Sequence, residues 1–126
     1  GHSLGGIVSR WYVQEMGGHA RVAQTISIAT PFGGAVPAER LRILVGNDLH
    51  SRSGVLARLR EGAHLAADVP HLSIAGTADR MVSPPENACL GVGDTVVLKG
   101  RGHNQLLFDR TAIGLVVDRV KGARLV

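Results

Sequence analysis

The sequence predicts an α/β fold: a parallel sheet about three strands wide with flanking helices. Three observations carry that reading. A glycine-flanked serine, Gly1-His2-Ser3-Leu4-Gly5, stands directly before a helical pattern. Three short β-prone segments come after it, each running into a loop rich in glycine, proline or polar residues. Helical patterns separate these segments, and strands that alternate with helices pair in parallel through crossover connections.

The elements follow in order. Leu4, Ile7, Val8, Trp11, Tyr12 and Met16 recur three or four apart. Ser9, Arg10, Gln14 and Glu15 lie largely opposite, so residues 4–16 read as a helix that Gly17-Gly18 stops. Val22–Ala29 is rich in β-branched residues and ends in Thr30-Pro31-Phe32-Gly33-Gly34, a buried strand and its loop. Residues 37–69 hold helical patterns over Ala38–Val45 and Ser53–Arg60 around a polar bend, Gly46-Asn47-Asp48. This excursion either packs on the sheet or overhangs the site as a cap. His71–Ala75 reads as a second strand, with Gly76-Thr77-Ala78-Asp79-Arg80 as its loop. Ser83-Pro84-Pro85-Glu86 has capping-box spacing for a short helix carrying Cys89. Asp94–Lys99 is the last strand and Gly100-Arg101-Gly102-His103 its exit loop. Asn104 suits the cap of a final helix in which Leu106, Ile113, Val117 and Val120 keep helical spacing.

A chain of 126 residues, 44% hydrophobic and 19% charged, suits one globular domain. Its apolar runs are far shorter than the roughly 20 residues of a membrane span. The net charge of +4 is spread over scattered arginines, and one Trp, one Tyr and two Phe offer few stacking groups, which argues against nucleic acid. Cys89 is the only cysteine and reads as a small core residue. No metal-ligand spacing is present and no cofactor is expected. The absence of a strand before Gly1 suggests the C-terminal part of a larger fold, with bare apolar surface where upstream strands belong. Compartment, secreted or cytoplasmic, and oligomeric state stay open.

Ser3, Asp79 and His103 each fall just beyond the C-terminal end of a predicted or implied strand, the edge at which open α/β sheets bind ligands. A serine becomes a nucleophile when a histidine takes its proton and a carboxylate orients that histidine. Asp68 precedes its strand and Asp94 begins one, so both belong to the other edge. The order Ser, Asp, His matches that of α/β-hydrolases. Gly1-His2-Ser3-Leu4-Gly5-Gly6, Ala29–Gly34, Gly76–Asp79 with Val82 and Pro84, and Gly102-His103 together resemble the second half of an α/β-hydrolase of the bacterial lipase/esterase kind.

The resemblance implies Ser3 as nucleophile, His103 as general base and acid, Asp79 as orienting carboxylate and the Leu4 N–H as one oxyanion donor. The second donor would lie upstream of these residues, and loss of one typically costs about 10²–10³ in kcat. The fragment by itself is therefore expected to be almost inactive. His2 and Phe32 are expected to edge the substrate pocket, with a plain Pro/Gly turn as the alternative for Phe32 and its loop. The implied substrate is a small-molecule acyl ester, and a lipid interface is left open. Rivals are thioester hydrolysis or acyl transfer by the same residues, and a hydrolase-fold binding module without turnover.

Overall fold

The computed structural model describes residues 1–34 and 54–123. Along the chain it forms α1 (Leu4–Glu15), β1 (Thr25–Ile28), α2 (Gly54–Gly62), β2 (His71–Gly76), β3 (Asp94–Leu98) and α3 (Arg110–Gly122). Single 3₁₀ turns at Gly18–Ala20, Ala63–Ala66, Pro85–Ala88 and Gln105–Leu107 link them. The strands pair in the order β1-β2-β3, all parallel, with Thr25 opposite His71 and Leu72 opposite Asp94. His2 adds a parallel bridge to Ile28 on the other side of β1. The segment ahead of Ser3 is held there by Gly1 N–H to Ile26 O at 2.8 Å and Ile28 N–H to Gly1 O at 2.9 Å.

The central strand β2 is buried along its whole length, covered on both faces although His71 and Ser73 alternate with Leu72 and Ile74. The two faces differ in chemistry. Toward α3, Ile26, Ile28, Leu72 and Ile74 pack on Leu106, Ala112, Leu115 and Val116. Toward α1, the sheet presents Thr25, Ser27, His71 and Ser73, all buried. His71 holds this layer together. Its Nδ1 lies 2.7 Å from Thr25 Oγ1, and its Nε2 lies 3.1 Å from both Ser27 Oγ and Ser73 Oγ. An apolar cluster of Ile7, Phe32, Leu56 and Leu59 joins α1 to α2 beside this layer.

That polar layer overturns the expected orientation of α1. Arg10, assigned from spacing to the outer face, is fully buried; Gly6, Ile7, Arg10 and Val13 face inward, whereas Val8 and Met16 are 61% and 65% exposed. The reason is local. Arg10 Nη1 donates to Thr25 Oγ1 at 3.2 Å and its Nε to Gln14 Oε1 at 3.1 Å, so the polar sheet face draws Arg10 inward among Gly6, Ile7 and Val13.

The C-terminal helix also differs from expectation. Asn104 caps no long helix; a 3₁₀ turn ends near Phe108, and Asp109 starts α3 by accepting from Thr111 N–H at 2.9 Å and Ala112 N–H at 3.0 Å. An aspartate that satisfies two orphan amides defines the start better than an asparagine with no capping bond. Ile113, Val117 and Val120 are 47%, 40% and 60% exposed, and the sheet instead takes Ala112, Leu115 and Val116. Pro84, not Ser83, occupies the cap before Pro85–Ala88, so the capping box does not form. Ser53–Arg60 is met by α2, whose Leu56 and Leu59 are fully buried. The described end of the 37–69 excursion is thus packed, and the helix expected over Ala38–Val45 lies outside the described residues.

Candidate active site

Three chain segments meet at the C-terminal edge of the sheet. The first is the turn from the extended Gly1-His2 segment, bridged to β1 at His2, into α1. Ser3 adopts φ 51°, ψ −123°, a region that disfavours a side chain and costs on the order of 1–3 kcal/mol. Bonds on both sides hold it there: Ser3 N–H donates to Ile28 O at 2.8 Å and Gly6 N–H to Ser3 O at 3.1 Å. Although Ser3 stands at the N-cap of α1, its hydroxyl makes no capping bond. A Cβ on Gly1 would overlap the Gly5 carbonyl, and one on Gly6 would overlap the Thr30 side chain. Gly5, by contrast, has open space.

The second segment follows β2. Asp79 is 5% exposed and divides its carboxylate between two tasks. Oδ1 accepts from Met81 N–H at 2.8 Å and Val82 N–H at 2.9 Å, while Oδ2 lies 2.8 Å from His103 Nδ1. Burial alone would raise the pKa of Asp79. The hydrogen bonds from His103, Val82 and Met81 outweigh it and bring the pKa below the ordinary carboxylate value. Asp79 is therefore ionised at neutral pH, and His103 Nδ1–H donates to it.

The third segment follows β3 and is tied to the second. Ala78 N–H donates to Arg101 O at 3.0 Å and Gly100 N–H to Thr77 Oγ1 at 2.8 Å. Gly76 brings the two backbones together, since a Cβ there would overlap the Arg101 carbonyl. With Nδ1 committed to Asp79, His103 has Nε2 left for a proton from elsewhere.

His2 connects the first and third segments. Its Nε2–H donates to His103 O at 3.1 Å, and the two rings lie 4.8 Å apart between centroids. Burial lowers the His2 pKa and the neighbouring His103 lowers it further, against the hydrogen bond and Asp79, which raise it. The structure thus brings Asp79 and His103 into direct contact and places Ser3 next in the chain to a residue touching His103. Among the described residues no hydrogen bond joins Ser3 Oγ to the His103 ring. The Leu4 N–H opens α1 with no backbone acceptor among the described residues.

Phe32 is placed elsewhere. It is fully buried, packed with Ile7, Leu56 and Leu59 and edge-on to His71 at 5.7 Å. An aromatic ring with no accessible surface fills the core and does not line a pocket. Asp68 and Asp94 lie across the sheet, around a cavity of about 790 Å³ beneath α3. Cys89 is half-buried and donates weakly to Pro85 O, and burial raises its thiol pKa. Sequence reasoning missed the buried Arg10 and His71, because neither residue type announces burial by spacing.

A three-stranded parallel sheet with flanking helices, with a turn into α1 and two loops converging at its C-terminal edge, defines an α/β fold. The chain is similar in structure to the mature lipase BlEst2 of Bacillus licheniformis, with a TM-score of 0.66 at 16% identity over 81% of this chain. It spans 56% of that lipase's length, and at this identity the likeness is one of fold. No protein-family model and no curated protein matches the chain.

Proposed function

We propose that this chain carries the reactive centre of a serine hydrolase that cleaves carboxylic esters of apolar acids through an acyl-enzyme. One observation carries the reading. The His103 imidazole is bonded through Nδ1 to a buried, ionised Asp79, at the same sheet edge as a serine whose backbone is strained and whose hydroxyl caps nothing. Structural histidines and N-cap serines need neither feature.

In this reading His103 Nε2 takes the Ser3 Oγ proton as Oγ bonds to the ester carbonyl carbon, and the carbonyl π electrons move to oxygen. The Leu4 N–H donates to that oxyanion, and Asp79 stabilises the imidazolium. Collapse breaks the bond to the leaving oxygen, which receives the proton from His103 Nε2. Water then attacks the acyl-Ser3 carbonyl, again giving up a proton to His103, and the acid leaves as Ser3 is restored. An apolar groove of about 470 Å³ begins at Leu4 and continues past Val8, Trp11 and Met16. Its lining supports an apolar acyl group over a charged one.

A fluorophosphonate probe on the intact protein tests the assignment. Ser3 should carry the adduct, and Ser3→Ala or His103→Ala should abolish labelling and turnover of acyl esters. A folded protein that takes no label at Ser3 would instead be a hydrolase-fold binding module.

A further inference from the structure

The geometry points to His2 as a positioning residue that fixes the loop bearing His103, so that the base is kept facing Ser3. This rests on the hydrolase reading above and adds a residue to it. His103 is gripped from two directions. Asp79 holds the ring, and His2 holds the backbone by donating Nε2–H to the His103 carbonyl at 3.1 Å. That carbonyl has no backbone donor among the described residues, so the imidazole of His2 satisfies an acceptor otherwise left open.

The tether starts from a rigid base and ends on the loop that carries His103. His2 bridges to Ile28, and its own carbonyl accepts from Gly5 N–H at 2.9 Å, leaving only its side-chain torsions free. The backbone leading to His103 contains Gly100, at φ 72°, and Gly102, residues that restrict it least, and the bond from His2 adds a hold on the far side of them. Because Ser3 follows His2 directly, the tether sets the distance between nucleophile and base from the nucleophile's own strand. The acceptor is a carbonyl, so Nε2 must carry the hydrogen, and neutral His2 suffices. The titratable groups facing it are His103 and Asp79, together with the Gly1 amine. A neutral ring 4.8 Å from His103 leaves the imidazolium formed in the reaction unopposed, whereas a permanent cation would repel it.

The test compares wild type, His2→Ala and His2→Gln in the intact protein; glutamine keeps an N–H donor and cannot ionise. The fluorophosphonate labelling rate of Ser3 and kcat and KM for a p-nitrophenyl acyl ester are measured, with solvent exchange of the His103 Nδ1–H followed by NMR. His2→Ala should slow labelling and kcat by about ten- to a hundredfold with KM unchanged, since small misplacements of reacting groups carry costs of that order. His103 Nδ1–H exchange should quicken, and His2→Gln should recover most of the loss. Wild-type exchange and labelling in His2→Ala would overturn the proposal, as would a rise in KM alone, which would make His2 a substrate contact. If wild type takes no label at Ser3, the hydrolase reading fails while the exchange comparison still decides the tether.

Discussion

Asp79 uses its two carboxylate oxygens for different partners, and this makes an asymmetric prediction. In Asp79→Asn the Met81 and Val82 amides would keep the remaining carbonyl oxygen at the Oδ1 position, which turns the new NH₂ toward His103. His103 would then have to accept at Nδ1 and carry its hydrogen on Nε2, facing Ser3 with nothing to take the serine proton. Turnover should fall by about 10⁴-fold, the size of the tautomer effect in a comparable serine hydrolase, with KM nearly unchanged. Steady-state kinetics checks it, and a loss below tenfold would refute the proposed role of Asp79. The meeting of Asp79 with His103 was legible because each follows a strand end, and the tight turn at Ser3 because glycines flank it. Phe32 was not, because a Pro-Phe-Gly-Gly loop reads as surface while its ring turns into the core.

At the level of elements, α1 and α3 show where spacing misleads. Both helices are apolar over more of their circumference than one buried stripe needs, so periodicity offers several candidate faces, and the partner surface chooses among them. For α1 the choice fell on the face with Arg10 because Thr25 and His71 lie beneath it, information that resides fifteen and more positions away in the chain. Strand positions fared better: short β-prone segments bounded by glycine, proline or polar loops have few alternatives. The docking of α1 also separates two adjacent glycines. Gly6→Ala should cost about 1–3 kcal/mol, since its methyl would overlap the Thr30 side chain in the packed interface. Gly5→Ala meets nothing and should leave stability unchanged or raise it by up to about 1 kcal/mol through helix propensity. Chemical denaturation of the two variants side by side checks the contrast.

Across the whole molecule the sheet separates an apolar layer from a polar one, and the polar layer has a pH response. Burial and the Arg10 charge lower the His71 pKa from 6.5 to about 4. Between these values the unfolded chain binds a proton that the folded one refuses, so stability falls as pH drops from about 6.5 toward 4. The loss should reach roughly 3 kcal/mol at most, taking 1.36 kcal/mol per pH unit. Melting curves across that window should slope downward on acidification, and His71→Gln should flatten the slope; equal slopes would refute the assignment. The Arg101–Asp109 ion pair has a consequence at the same scale. Asp109 begins α3 while Arg101 lies two residues before His103, so an exposed charge pair couples the last helix to the loop that carries the imidazole. Surface pairs of this kind weaken as ionic strength rises. Concentrated electrolyte should therefore loosen the histidine loop without touching the buried aspartate behind it, and with a neutral cap, Asp109→Asn, solvent exchange of the His103 Nδ1–H followed by NMR should respond less to added salt than in wild type.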